Sequence, residues 1–520
     1  MRFIYCLLIF FLCINPILIN AQSIDGSRLI ELSKVAIEKS PVLKRNAYTV
    51  KNAEAELQIQ RSIFDYNLNS NLSYQQNRYH LFESDPRNQY LDKILNSNNI
   101  DISAGLNRKF RTGQIVELGL QHLFNSNNIP FNNFNQAIPA FRGDYTSLIN
   151  LSITQPLLRG RGKSIVTLNE EASKLYIESA KENNEFITSL EILRVGEAYW
   201  NYYTAYKVLS IYKLNEKRVE DVLYMTEELV KADKKPAGDL AQINADLANQ
   251  KKFTIIANQS YFNSKQNLGR VIGLSDLESE LLANPLDGYP NVDESGYRLV
   301  FNKENLIRAG IANRKDFVAN EKILEALKLY QRLAENNLKP QLDITGFGFY
   351  GSASQGNGKP FQANSFFKDE GNYVGAGAKI TFSFPINNNY AKGNLVKSNI
   401  AISDQQVVNE NLKRNIELNI SIALNNLENT VSALEQSKLA LDSYREAFEN
   451  EQLKFKTGLT TLLNVILFQE RLTSAELEYL KSQQNFATAI INLRHETGTL
   501  IESDANGYLV RKENYYTIPQ

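Results

Sequence analysis

Val374-Gly375-Ala376-Gly377-Ala378-Lys379-Ile380-Thr381-Phe382-Ser383-Phe384 alternates residue by residue, with valine, alanine, isoleucine and phenylalanine on one side and glycine, lysine, threonine and serine on the other. A two-residue period with one apolar face and one small or polar face fits a strand that divides lipid from water. Pro385 follows, and from about Asn388 to Lys456 no proline and few glycines interrupt a helical pattern. At 1.5 Å per residue such a helix would run roughly 100 Å. Along it Ile420, Leu424, Leu427, Val431, Leu434, Leu441 and Phe448 follow coiled-coil steps, although Lys438 and Arg445 leave the seam imperfect. A rod of that length is too long for a globular core. It suits a protein that crosses a compartment.

The first part of the chain repeats this plan. Ser40-Pro41-Val42-Leu43 matches Arg314-Lys315-Asp316-Phe317 at an offset of 274, which also lays Asp65-Tyr66-Asn67-Leu68 on Lys339-Pro340-Gln341-Leu342. Near the ends of the halves Leu268 and Gly273 match Leu493 and Gly498 at an offset of 225. Each half therefore reads as helix, strands, very long helix, turn and long helix, two copies of one unit. In the first half Leu68, Ser70, Leu72 and Tyr74 oppose Asn69, Asn71, Ser73 and Gln75, and Ile149, Leu151 and Ile153 oppose Asn150, Ser152 and Thr154. A sandwich edge would alternate in the same way. Glycine and asparagine on the inner face, with Tyr66, Tyr74, Tyr373 and Phe384 near strand ends, favour a barrel wall with a wet lumen.

Residues 1–21 read as a secretory signal: Arg2, an apolar run from Phe3 to Ile19, and Asn20-Ala21 before Gln22. The only cysteines, Cys6 and Cys13, leave with it, so the mature chain carries no disulfide and no thiol ligand or nucleophile. Nothing later resembles a membrane helix, which leaves an exported soluble protein or a β-barrel. A net charge of zero over 520 residues offers no electrostatic case for nucleic acid. The domain plan is residues 22–285 as first repeat, 286–302 as linker, 303–502 as second repeat and 503–520 as a tail that either wraps the helices or hangs free.

Two clear strands per half make four per chain, too few to close a barrel alone. Open edges then call for several chains, and three would supply twelve strands. Residues 80–144 complicate the count, because Asp101–Phe110 and Ile115–Phe124 form a candidate hairpin around Thr112-Gly113. That Asn-rich insertion and the shorter one from Ser352 to Gly371 both read as extracellular loops, and whether the hairpin joins the wall stays open.

With these residues in hand the chain resembles the TolC family of outer-membrane efflux and secretion channels, from about Leu29 to Leu500. The supporting motifs are Thr154-Gln155-Pro156-Leu157-Leu158-Arg159-Gly160, Ser383-Phe384-Pro385-Ile386, the turn Phe455-Lys456-Thr457-Gly458-Leu459-Thr460-Thr461-Leu462-Leu463-Asn464-Val465, and its counterpart around Asp239-Leu240. The resemblance implies a mainly α fold with β: a homotrimeric, twelve-stranded transmembrane β-barrel on a long periplasmic α-helical coiled-coil tunnel. It implies a passive exit duct of a tripartite efflux or one-step secretion system, with a periplasmic adaptor protein, an inner-membrane pump and outer-membrane lipid as partners and no cofactor.

In that family the helix-turn tips close like an iris. Asp239 sits where the first tip commonly has an Asp, which assigns it to the gate or pore lining; as plain helix chemistry it reads as an N-cap after Pro236-Ala237-Gly238. Asn464 and Leu467 stand where acidic residues line other members, and Phe455 stands where some have a gate tyrosine. Closure here then rests on apolar packing more than on an ionic network. Gly458 permits the tight turn and shapes the adaptor contact. Lys231, Lys234 and Lys235 either meet acidic partner residues or are solvated, and Arg159, Arg161 and Lys163 either touch lipid phosphates or are linker.

Enzyme-like patterns fail on inspection. Gly162-Lys163-Ser164 lacks the glycine a phosphate loop needs at position 157, which is leucine. Gly346-Phe347-Gly348-Phe349-Tyr350-Gly351 fits the dinucleotide fingerprint but is followed by no helix. His80, His122 and His495 are far apart. With only Met1 and Met225 there is no thioether cluster, which argues against metal sites of the duct's own. Small-molecule efflux, metal efflux and protein secretion are not separable. The rival from another class is a periplasmic coiled-coil scaffold or adhesin that forms no pore.

Overall fold

The computed structural model describes residues 27–89, 91–128, 143–297, 302–355, 371–504 and 507–519. The secretory segment at 1–21 lies outside them, as does most of the Ser352–Gly371 insertion. In the first half the elements are α1 (Leu29–Lys39), α2 (Pro41–Arg61), β1 (Tyr66–His80), β2 (Ile94–Lys109), β3 (Ile115–Asn127) and β4 (Asp144–Pro156). They continue with α3 (Lys163–Val166), α4 (Leu168–Lys231), α5 (Gly238–Ile272) and α6 (Asp276–Glu280). The second half comprises α7 (Lys303–Asn313), α8 (Lys315–Asn337), β5 (Gln341–Gln355), β6 (Asn372–Ser383), α9 (Asn389–Lys456) and α10 (Leu462–Glu496). A short hairpin, β7 (Glu502–Asp504) and β8 (Gly507–Leu509), and α11 (Glu513–Tyr516) end the chain. The two expected long helices are α4, with 64 residues, and α9, with 68. The chain divides into two compact units.

The strand unit, Tyr48–Asn183 with Asp316–Leu412, carries one antiparallel sheet in the order β1-β2-β3-β4-β5-β6. Its register keeps the alternation largely in phase from strand to strand, with β5 the exception at Phe347 and Phe349. One row runs Leu68, Leu106, Leu118, Leu151, Gly348, Ala376; the neighbouring row on the other face runs Asn67, Asn107, Glu117, Ser152, Phe347, Gly377. A slip of one residue in any strand would turn its apolar set to the wrong face. On the polar face Phe347 and Phe349 lie over Gly377 and Gly375, where an added Cβ would meet the rings at 2.7 and 2.3 Å. Glycine here makes room for a cross-strand aromatic.

The expected count of four strands per chain is corrected to six in the described sheet. The 80–144 insertion is not all loop, because its hairpin is β2 and β3, paired between β1 and β4. Asn99, Asp101, Ser103 and Asn107 gave the segment its loop-like composition. In the sheet they form the polar face of a strand whose other face holds Ile100, Ile102, Ala104 and Leu106.

The helical unit, described from residue 27 to Ala47, over Asn184–Lys315 and from Lys413 to residue 519, buries three apolar clusters. One surrounds Trp200, which is fully buried against Tyr199, Tyr203, Tyr289 and Tyr516. The tail docks there. Tyr515 is fully buried, the Arg494 guanidinium donates to the Thr517 carbonyl at 2.6 Å, and the Ile518 amide donates to Ser295 O at 2.9 Å. Asp287, in the described part of the 286–302 segment, is packed as well: its carboxylate accepts from the Leu29 amide (2.7 Å) and the Tyr199 hydroxyl (2.8 Å). In the α9 seam Ile420, Leu427, Val431, Leu434, Leu441 and Phe448 are all buried, while Lys438 and Arg445 are exposed.

Two glycines end helices in equivalent ways. Gly273 after α5 (φ 81°) and Gly498 after α10 (φ 68°) are left-handed, and each closes a Schellman turn. An added Cβ at Gly273 would meet Lys39 O at 2.8 Å, and at Gly498 the Asn313 carbonyl carbon at 2.9 Å. Lys39 and Asn313 are themselves 274 residues apart, the offset of the sequence repeat.

Candidate functional site

Two helical hairpins in the helical unit end in short turns, α4 to α5 over residues 232–237 and α9 to α10 over 457–461. Both leave their first helix by a Schellman turn. At the second tip the Gly458 amide donates to Phe455 O and the Leu459 amide to Lys454 O, with Gly458 at φ 78°. At the first, Asp233 takes the same left-handed place at φ 56°, its amide donating to Val230 O and that of Lys234 to Leu229 O. Thr461 opens α10 as its N-cap, accepting from the Asn464 amide at 3.4 Å.

Polar side chains then tie the tips together. Lys235 Nζ donates to the Thr460 carbonyl at 2.8 Å and lies 5.0 Å from the centre of the Phe455 ring. The Thr460 hydroxyl donates to Glu451 (2.9 Å) and accepts from the Asn464 amide group (3.1 Å), and Lys454 pairs with Glu451 at 2.6 Å. Lys454 first, and the Thr460 hydroxyl second, hold the Glu451 carboxyl below the usual carboxylate range.

The residues singled out from sequence divide by environment. Phe455 is fully buried in a core shared by all four hairpin helices, with Val219, Ile243, Leu441 and Val465 among its members. Gly458 is an exposed turn residue, and Asn464 is exposed in the first turn of α10. Asp239 is half-buried as the second residue of α5; the capping position is Ala237, which makes no side-chain cap bond, so the N-cap reading of Asp239 does not hold. A carboxylate in that first turn still meets the positive end of the helix dipole. Leu467 is 38% exposed, and with Leu463 (61%) and Leu459 (80%) it forms an apolar stripe at the second tip.

Further from the tips lie contacts that sequence reasoning missed. A buried polar ladder crosses three helices: Asn215 donates to Gln250 at 2.9 Å, Gln469 to Asn215 at 3.1 Å, and Gln250 to Asp246 at 3.2 Å. Burial pushes the Asp246 carboxyl up, against the hydrogen bond from Gln250. Arg218 and Glu476 form a two-pronged pair at 2.7 and 3.0 Å, both largely covered. The only signal for either was a polar residue on an otherwise apolar helix stripe, and Gln469 and Glu476 lie 254 and 258 positions from Asn215 and Arg218.

Within the strand unit, Arg159 Nε donates to the Gln341 side chain at 2.8 Å and Arg161 reaches the Leu157 carbonyl at 3.5 Å. Among the described residues no group of three His, Cys, Asp or Glu side chains has metal-holding geometry. No helix among them is long and apolar enough to cross a membrane.

Comparison with known proteins agrees with this geometry. Residues 306–499 match the outer membrane efflux protein family. The chain is 21% identical to outer membrane protein TolC of Escherichia coli (strain K12) over 367 residues, covering 68% of this chain and 70% of that protein. Its backbone resembles the solved CusC structure (TM-score 0.65, 14% identity, 91% of this chain and 92% of that one). It likewise resembles the open-state MtrE outer membrane channel of Neisseria gonorrhoeae (TM-score 0.61, 16% identity, 91% and 89%).

Proposed function

Because this chain belongs to the TolC family and is an outer-membrane protein, we propose that three copies of it build a passive exit duct, a barrel in the outer membrane continued by a helical tunnel through the periplasm. The carrying observation is the sheet register: one face is mainly apolar and the other mainly polar across the six strands, interrupted by Phe347 and Phe349 on the polar face and by His122, Ser147 and Ser352 on the apolar one. Such a sheet is stable when one face meets lipid and the other water. A coiled-coil scaffold outside the membrane would have no use for it.

In this reading the chain is two copies of one helix–strand–helix unit, as the paired contacts of Gly273 and Gly498 support. It performs no catalysis. Transport is driven by an inner-membrane pump joined through a periplasmic adaptor, and the hairpin tips form the gate. Leu459, Leu463 and Leu467 give the adaptor an apolar contact. The tie from Lys235 to Thr460 and Phe455 makes the two tips of one chain move together. Arg159 and Arg161 lie where the strand leaves the membrane, within reach of lipid phosphates. Asp239 lines the opening.

The test is the detergent-corrected mass of protein extracted from outer membranes, expected at three times that of the mature chain. Release by a salt wash, or a monomer, would refute the duct. The double variant L463D/L467D should keep the trimer and lose export, with adaptor binding to the purified trimer reduced at least tenfold.

A further inference from the structure

We propose that the barrel wall of this protein contains eighteen strands, six from each of three copies, closed by pairing β1 of one copy with β6 of the next. This rests on the trimeric reading above. Four features of the strand unit carry it.

The first is phase. If β2 and β3 were a flap outside the membrane, neither face would need to be apolar. Instead Ile100, Ile102 and Leu106 on β2 and Val116, Leu118 and Leu120 on β3 fall on the face that carries Leu68 and Leu72 of β1 and Ile149 and Leu151 of β4. The second is anchorage. The β2–β3 turn is built into the helix junction: the Thr112 carbonyl accepts from the Gly162 amide at 3.0 Å, and Arg111 pairs at 2.9 Å with Glu170, which also holds Arg61 of α2 at 3.1 Å. Gly113, at φ 93°, lies so close to Gly160 that an added Cβ would stand 2.4 Å from the Gly160 carbonyl oxygen. A hairpin pinned on both sides in this way cannot swing out and leave β1 to pair with β4.

The third is the condition of the edges. β1 and β6 are 15 and 12 residues long and unpaired on their outer sides. Leu72 on β1 is 73% exposed and Ile380 on β6 is 69%, against 41% for Leu118 and 45% for Leu151 inside the sheet. Long apolar edges carrying so little charge must be paired, and in a closed ring of this chain the only strands available are β6 and β1 of neighbouring copies.

The fourth is girth. Within the strand unit four helices lie side by side in the order of the strands they serve. Arg61 of α2 meets Glu170 of α4, Tyr176 of α4 meets Tyr330 of α8, and Gln331 of α8 meets Asn399 of α9. Four helices packed 8–10 Å apart span about 36 Å of arc. Six strands at ~4.8 Å spacing and ~40° tilt span about 38 Å, whereas four would span about 25 Å. Six strands match the helices beneath them without splaying either layer.

Eighteen strands enclose a lumen roughly 36 Å across between backbones, against roughly 24 Å for twelve. The outer-membrane part then sets no narrow limit on solute size, and any sieve lies at the hairpin tips.

Electron cryomicroscopy of the extracted particle in lipid nanodiscs counts the strands directly, and eighteen ridges around a threefold axis are expected. Twelve ridges around that axis, with β2 and β3 outside the wall, would overturn the inference and leave the duct standing. A particle that is not threefold would bring down the trimeric reading itself. Thiol labelling in intact cells adds a second measurement, since the chain's only cysteines are Cys6 and Cys13. S103C, on the lumen face of β2, should react with a water-soluble maleimide at least tenfold faster than L120C on the lipid face of β3. Equal rates would place the hairpin in water and refute its place in the wall.

Discussion

Alanine placed at Gly498, Gly273 and Gly458 should separate two costs that share one backbone conformation. All three glycines end a helix in the left-handed region, at φ 68°, 81° and 78°. That conformation costs an L-residue about 1–2 kcal/mol, partly offset because alanine also restricts the unfolded chain. Gly458 has nothing within 4 Å of an added Cβ, so about 1 kcal/mol is the whole expected loss. At Gly498 the new methyl would stand 2.9 Å from the Asn313 carbonyl carbon and 3.0 Å from its oxygen, and at Gly273 it would stand 2.8 Å from Lys39 O. Both neighbours are backbone at the last residue of a helix, Lys39 of α1 and Asn313 of α7, so they cannot swing aside, and overpacking adds about 1–3 kcal/mol. The expectation is about 3 kcal/mol for G498A and G273A. Trp200, the only tryptophan, is fully buried among aromatic side chains of the helical unit and reports its unfolding. Guanidinium titration followed by its emission gives the three values. G458A costing as much as G498A would show that the close approach contributes nothing, and the equivalence drawn between the two junctions would fall with it.

Other outcomes follow from the hairpins and their caps. A double-mutant cycle of Lys235→Met with Phe455→Leu should return a coupling of about 0.5–1 kcal/mol in trimer unfolding, the range of a partly exposed cation–π contact; zero coupling would mean the tips are not tied there. Arg218→Leu strands Glu476, which is only 11% exposed, and should cost about 3 kcal/mol, with the double variant R218L/E476L recovering most of it. Glu278 caps α6 and pairs with Lys39, which first among several bonds lowers its carboxyl to about 2. Its folded value lies below the unfolded one, so its contribution is present above ~4.3 and lost as pH falls toward about 2. With both side chains 44% exposed the effect is small. Glu278→Gln should flatten the acid limb of the stability profile slightly, and an unchanged limb would refute the assignment.

Features that repeat over a few residues were legible along the chain before any packing. The steps along α9 placed Ile420, Leu427, Val431 and Leu434 in the core, and strict alternation from Val374 to Phe382 predicted an amphipathic strand that the sheet contains. The equivalence of Gly273 and Gly498 was likewise visible as a spacing, because a left-handed helix end needs glycine wherever a close neighbour stands above it. Tertiary structure decided the rest. Asparagine and serine in residues 94–127 are as compatible with a solvated loop as with the wet face of a strand, and only pairing with Leu68 and Leu151 distinguishes the two. The tail, from Tyr515 to Ile518, carries no periodicity, so its docking beside Ser33 and Ser295 shows only once the helices are assembled. Lys235 and Thr460 are 225 positions apart, as are many pairs that never meet. Periodicity is set by backbone geometry and is written locally, whereas which faces touch depends on how whole elements pack.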